Sequence, residues 1–390
     1  MALALNDWLT MLFLYSPPLR MNMTREQFYA LPFVKRVWYY NWASELSFIS
    51  VVVGFLALHF IGDFLNRRIA YSWITAQVDN LRTQFHQVGF DPVSPLADVA
   101  SDPAPLPGPK KIMKRLGPLD FIFYATGRLN VYMMHGKLTL LTRNNLITLV
   151  MDYVLSFFTN LPVPSDRLEL LVTPADDTAT KSTYDGFVFA IVHKSLMKSV
   201  RDHSYDLSLT RTTDSPKLPL SFTVMSEASE VTEALLTPEL AAAIKAAENV
   251  LQYLVISDLP VDRFKSSAEY IPKKRALLVL TPRSSAADAE ATTSIINAFL
   301  ATIDVAVVKA HWRPEVLRKL KNTRDEEVRK LKKVEEEERA EELARIRAKE
   351  KKDLSKTEAR GLTAEEQKKL QAKEREKDVR RMRSKQTRKY

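Results

Sequence analysis

Catalysis or metal binding would begin with histidines and paired carboxylates, and the chain offers six histidines, at positions 59, 86, 135, 193, 203 and 311. None belongs to an HExxH pattern and none has zinc-finger spacing. His193 and His203 bracket KSLMKSVRD, a separation that reads as the surface of a turn, and Asp176, Asp177 and Asp202 read as loop carboxylates in water. There is no GxGxxG, no phosphate loop and no nucleophile elbow. With no cysteine in 390 residues, disulfide frameworks and cysteine-ligated zinc or iron–sulfur sites are excluded. The expectation is a protein that is not an enzyme, with no cofactor and no metal.

The side chains with a definite chemistry are basic. The last 78 residues hold 28 Lys+Arg against 18 Asp+Glu, which leaves 29 of each for residues 1–312, so the whole excess of +10 lies in the tail. There Lys368, Lys369, Lys373, Arg375 and Lys377 are followed by Arg380, Arg381, Arg383, Lys385, Arg388 and Lys389. Such a segment neutralises phosphates and releases their counterions, which makes binding strong and steeply salt-dependent. No aromatic precedes Tyr390 in this segment, so there is no platform on which bases could stack. The segment is expected to hold structured RNA by shape and charge. Two competing readings are a solvated end and a polybasic patch for acidic lipid.

What positions that tail is a membrane segment and a long charged helix. Residues 46–62, LSFISVVVGFLALHFIG, carry no formal charge and are closed by Glu45 and Asp63. At 1.5 Å per residue they cover about 25 Å, at the short end of a bilayer core. The lipid-facing anchor is expected to be Leu46, Phe48, Ile49, Val51, Val52, Val53, Phe55, Leu56, Leu58, Phe60 and Ile61. Trp38, Tyr39, Tyr40 and Trp42 crowd the entry, where amphipathic rings favour the headgroup level. The alternative is a buried core helix, which leaves the aromatic belt unexplained. Lys35 and Arg36 on one flank balance Arg67 and Arg68 on the other, so charge does not orient the segment. His59 and Asp63, four apart near one end, read as groups that reach the headgroups.

Before this segment, MALALNDWLTMLFLYSPPLR lacks a basic start and reads as an interfacial piece ended by Pro17 and Pro18. Asn22-Met23-Thr24 fits the glycosylation acceptor pattern. After it, Ile69, Trp73, Ile74, Val78, Leu81 and Phe85 recur at helical period and Gly89 ends the pattern, giving a juxtamembrane amphipathic helix. A proline-rich linker follows, with Pro92, Pro95, Pro103, Pro105, Pro107 and Pro109.

From residue 119 to 312 strand and helix signals alternate. Strands are expected at 121–127, 131–141, 167–173, 186–194, 205–210, 220–226 and 275–281, and helices at 145–158, 237–252 and 286–300. Thr237-Pro238 supplies an N-cap and a first-turn proline. The fold class expected is a mixed α/β (α+β) domain carried by one transmembrane helix. Residues 313–360 contain no glycine, no aromatic and dense Glu, Lys and Arg, with Glu335/Arg339, Glu341/Arg345 and Asp325/Arg329 at supporting spacing. Leu317, Leu320, Val328, Leu331, Val334, Leu343 and Ile346 hold no heptad, and steps of eleven imply a weakly wound coil at most. Gly361 breaks the helix and Thr363 with Glu366 starts a second, giving two charged helices over 313–390 in a hairpin or an open hook. The division is thus 1–45, 46–65, 66–118, 119–312 and 313–390.

Several long strings, NRRIAYSWITAQ at 66–77, YATGRLNV at 124–131, DGFVFAIVHKSLMKSVRDHSYDLSLT at 185–210, LPLSFTVMSEASEVTEALLTPEL at 218–240 and LTAEEQKKLQAKEREK at 362–377, resemble the coiled-coil domain-containing protein 47 (calumin) family, in its fungal form. The resemblance implies an endoplasmic reticulum membrane protein with a short lumenal N-terminus, one membrane pass, a cytosolic α/β domain and a charged arm. It implies pairing with Asterix, a small multipass protein, in an intramembrane chaperone complex for nascent multipass membrane proteins. It further implies a place in the multipass translocon on the Sec channel and the ribosome, with ribosomal RNA near the tail. Animal members have an acidic lumenal region associated with calcium binding. Here residues 1–45 contain only Asp7, Glu26 and Glu45 as acids, so that property does not carry over. A second class of function is a membrane-tethered adaptor in calcium or lipid homeostasis, with the tail on acidic headgroups.

Overall fold

A computed structural model describes residues 25–40, 42–90, 108–159, 163–175, 184–262, 273–283 and 285–360. The chain forms two compact units, Met1–Arg263 with Pro272–Leu320, and Phe264–Ile271 with Lys321–Tyr390. The opening segment, the glycosylation triplet, most of the proline-rich linker, Asp176 and Asp177, and everything after residue 360 lie outside the described residues.

In chain order the elements are α1 (Arg25–Tyr29), α2 (Phe33–Tyr39), α3 (Ala43–Gln84), β1 (Gln87–Val88), α4 (Pro109–Ile112), β2 (Met113–Arg115), β3 (Asp120–Thr126), β4 (Val131–Thr139), α5 (Leu146–Phe158) and β5 (Arg167–Pro174). There follow β6 (Val188–His193), α6 (Met197–His203), α7 (Tyr205–Ser208), β7 (Arg211–Thr213), β8 (Phe222–Ser226), α8 (Ser229–Leu235), α9 (Pro238–Ala246), β9 (Leu251–Ser257), β10 (Arg275–Leu280), α10 (Ala286–Lys309) and α11 (Pro314–Arg360).

The mixed α/β expectation holds. All pairings are antiparallel, in the order β1-β3-β4-β5-β10-β9-β6-β8-β7, with β2 beside β3. Strands β3 and β5 alternate buried and partly exposed residues along their length, as an antiparallel sheet covered mainly on one face must. Strands β6 and β8 are buried almost throughout, because here both faces are covered. Phe121, Phe123, Met134, Leu138, Leu168 and Leu170 form the covered face of the first half. Helix α3 lies on it: Trp73 meets Phe123 with ring centroids 5.6 Å apart, and Tyr71 meets Phe121 at 6.1 Å. Helix α10 adds Ile295, Ile296, Phe299, Leu300 and Ile303 to the same core.

The predicted amphipathic stripe is the buried face of α3, with Trp73, Ile74, Val78 and Leu81 in the core, Phe85 just past its end and Ile69 packed beside them, but the helix stops at Gln84 rather than at Gly89, because Gln87 and Val88 pair with β3 as a strand. Thr237 caps α9 by accepting from Leu240 N at 3.2 Å, and Asn145 caps α5 by accepting from Thr148 N at 3.3 Å. Two expectations are corrected. Residues 205–208 are helical rather than a strand: the Asp206 carboxylate accepts from Leu207 N at 2.9 Å and from Arg275, and those bonds turn the chain. The helix expected over 237–252 ends at Ala246, and strand β9 starts at Leu251 and pairs with β10 and β6. Tertiary pairing overrode a helical pattern there.

In the second unit α11 runs on without a break to Arg360, with ion pairs along part of its surface. Glu341 meets Arg345 at 3.7 Å as its spacing predicts, and Lys330 meets Glu327 at 2.6 Å.

Candidate membrane-contact site

Helix α3 is one continuous helix of 42 residues, about 63 Å long, with two surfaces of opposite character. From Gly62 onward it belongs to the folded unit. Before that, all eleven predicted anchor residues are exposed, from Leu46, Phe48 and Ile49 through Val51, Val52, Val53, Phe55, Leu56 and Leu58 to Phe60 and Ile61. Burial of such an apolar surface is the main driving force of folding, and among the described residues nothing covers it. Helix α10 is also long and apolar, but half of its apolar window is buried, against 11% for α3, and it is a core helix.

The two ends of the apolar run differ. At the start, Tyr40 and Trp42 pack edge to face at 4.9 Å, the Tyr40 hydroxyl donates to Glu45, and Trp42 Nε1 donates to the Val37 carbonyl at 2.9 Å. At the other end a polar collar seats the helix in the domain. Asn66 is fully buried and donates to the Leu141 carbonyl at 3.1 Å. Arg143 donates to Asn66 Oδ1 at 3.0 Å and grips Asp166 with both terminal guanidinium nitrogens, at 2.8 and 2.6 Å. Asp63 pairs with Arg67 at 3.1 Å and with Arg115.

His59 and Asp63 were expected to reach headgroups, and the structure corrects this. His59 Nδ1 lies 3.2 Å from the Asn144 carbonyl oxygen, within hydrogen-bond reach, and Asp63 binds the arginine of β2. Both hold the helix to the domain. Gly62 explains how the backbones come so close: a Cβ there would overlap the Arg143 carbonyl. Neither Gly62 nor Asn66 carried a sequence signal of its own, since each needs the partner loop to acquire meaning.

The remaining histidines are scattered. His193 Nδ1 lies 2.6 Å from Ser195 Oγ, His203 Nδ1 lies 2.8 Å from the Ser199 carbonyl, and His135 sits on β4 opposite Tyr124 and Leu171. Among the described residues no three His, Asp or Glu side chains gather as metal ligands would. The basic cluster from Lys368 to Lys389 lies outside the described residues.

An antiparallel α/β domain mounted on a helix whose far half is apolar on every side defines a class, membrane proteins with a folded extramembranous domain. The comparisons agree. The chain belongs to the family described as PAT complex subunit CCDC47, which it matches over residues 41–381. It is 31% identical over 271 residues to a UPF0674 endoplasmic reticulum membrane protein of Schizosaccharomyces pombe, covering 66% of this chain and 67% of the relative. It is 25% identical over 262 residues to another protein of that description in Saccharomyces cerevisiae, covering 62% of this chain and 61% of the relative, less than two thirds of that protein's length.

Proposed function

We propose that this chain is a non-enzymatic subunit of an intramembrane chaperone complex of the endoplasmic reticulum, working with an Asterix-like small membrane protein. In this reading α3 crosses the bilayer once, the N-terminus is lumenal, and the α/β domain and charged helical hairpin are cytosolic. The domain docks on the Sec translocon channel and the ribosome, and the basic tail holds ribosomal RNA or tunnel-exit proteins. Nascent multipass membrane proteins are the clients.

The observation that carries the reading is the continuity of α3 in a member of this family. A single rigid helix joins the apolar run to the sheet, so a body held at the ribosome holds an intramembrane surface at a fixed place. That raises its effective concentration near emerging helices without tight binding to any one client.

The test is ribosome co-sedimentation across a salt series, comparing the intact chain with one ended at Glu358. Loss of salt-sensitive association in the shortened chain supports the reading. Unchanged ribosome association with collapsed binding to acidic liposomes sinks it in favour of the adaptor in calcium or lipid homeostasis. Carbonate extraction and protease protection of sealed microsomes test the single crossing and its direction.

A further inference from the structure

Helix α5 was expected to be an ordinary helix of the α/β domain, yet it has no buried residue. Its sequence LITLVMDYVLSFF holds one charge, Asp152. Ile147, Val150, Met151, Val154 and Leu155 are all exposed, and Phe157 and Phe158 are 85% and 80% exposed. The polarity is inverted relative to a helix of a soluble fold. Thr148, Asp152 and Ser156 fall four apart, within an arc of about 80° at the helical step, and the rest of the circumference is apolar. Asp152 and Ser156 are half-buried together with Leu149, whereas the outward side, Thr148 aside, is the apolar one.

The helix also needs little from water. Ser156 Oγ donates to the Tyr153 carbonyl at 2.8 Å, Thr159 Oγ1 donates to the Leu155 carbonyl at 2.6 Å, and Asn145 caps the first turn. Hydroxyls closed on their own backbone suit a medium without hydrogen-bond partners.

Its place in the fold decides what that medium is. The loop that leads into α5 is the one fixed against α3 at the end of the exposed apolar run, through Asn144 to His59 and Arg143 to Gly62. The end of one exposed apolar surface therefore lies beside the start of the other. We propose that α5 is a second membrane-contacting element, inserted among the acyl chains of the leaflet nearer the α/β domain without crossing the bilayer. Thirteen residues span about 20 Å, too little for the hydrocarbon core and enough for a shallow or in-plane insertion. A partner helix would cover a stripe, while the apolar arc here takes in most of the circumference, which a solvent of lipid chains covers and a single helix does not. With no basic residue on α5, insertion draws on apolar area rather than on headgroup charge.

The inference rests on the reading of α3 as a membrane anchor, and one experiment separates the two. The chain has no cysteine, so single substitutions carry a unique environment-sensitive fluorophore. Val154→Cys on α5, Val53→Cys on α3 and Glu239→Cys on the exposed side of α9 are each labelled in the full chain and reconstituted in phosphatidylcholine vesicles with or without brominated acyl chains. The labels at 154 and 53 are expected to lose most of their fluorescence to bromolipid and little to aqueous iodide, with the reverse at 239. Quenching by bromolipid at 53 but not at 154 overturns the insertion of α5 and leaves the anchor standing. A label at 154 shielded from both quenchers overturns it too, because a protein surface then covers the helix. Loss of bromolipid quenching at 53 alone overturns the anchor reading while α5 insertion stands.

Discussion

Gly62 on the long helix stands directly against the backbone carbonyl of Arg143, with no room for a side chain between them. The contact joins the last turn of the apolar run to the loop that opens α5. Gly54, two turns earlier on the same helix, has nothing within 4 Å of its Cβ position. The two glycines thus give opposite expectations. Gly62→Ala forces the loop off the helix and should lower stability by about 1–3 kcal/mol, as overpacking does. Gly54→Ala should leave stability unchanged or raise it by up to about 1 kcal/mol through helix propensity. Thermal unfolding of the detergent-purified full chain reads both, and equal effects at the two positions would refute the assignment of Gly62 as the seat of the loop.

A second relationship mounts the helix on the sheet. Gly136 pairs across the β3/β4 ladder with Phe123, whose ring lies over it and against Trp73 of α3. A Cβ at 136 would overlap the ring, so Gly136→Ala should displace Phe123 toward Trp73 and destabilise the fold. In a Phe123→Ala background the obstruction is gone, and Gly136→Ala should cost little. A double-mutant cycle by urea unfolding should therefore show a coupling of about 1 kcal/mol or more, and additivity would count against the stacked arrangement.

Asp206 is wholly buried, and its carboxylate is paired with Arg275. Burial pushes the carboxyl above its ordinary value of 3.8, and the pull of Arg275 in the other direction does not outweigh it. The folded protein thus holds this proton more tightly than the unfolded chain, and the group's contribution is greatest at acid pH and falls as pH rises through the folded value. Arg275→Met leaves the carboxylate buried without its cation. The variant should lose about 3–5 kcal/mol near neutral pH, and the loss should shrink toward pH 4, where Asp206 can take up a proton. Urea unfolding of both proteins from pH 4 to 7 checks the sign; a loss independent of pH would be inconsistent with the pair.

The stripe from Ile69 to Phe85 and the apolar run before it were legible because each is a local apolar pattern, but their joining in one continuous helix was not, since the sequence reads as a membrane helix set apart from a juxtamembrane one. Strand β9 was hidden because its apolar run continues the pattern of α9, and only the pairing with β10 and β6 separates them. The role of Asp63 was misread for a related reason: its partner Arg115 is 52 residues away, and sequence places a charge near a membrane without showing what it faces. Helix α5 was visible as a helix, but its lack of a buried side is a property of the fold.

The tail supplies the last prediction. Arg380, Arg381 and Arg383 are three of the six basic residues in the final 13 positions, with Asp378 as the one acid there. If they neutralise phosphates of structured RNA, each contact contributes about 0.7–0.9 to the slope of log affinity against log salt. Replacing all three by Gln should then flatten the slope for ribosome binding by about 2–3 while leaving retention in carbonate-washed membranes untouched, since no residue of the apolar run changes. Sedimentation of ribosomes with the intact and substituted chains over a range of salt gives the slope, and carbonate extraction of the same samples reports the anchor. An unaltered slope would count against an RNA contact by the tail. A flattened slope toward acidic liposomes, with none toward ribosomes, would instead make the tail a lipid-binding segment.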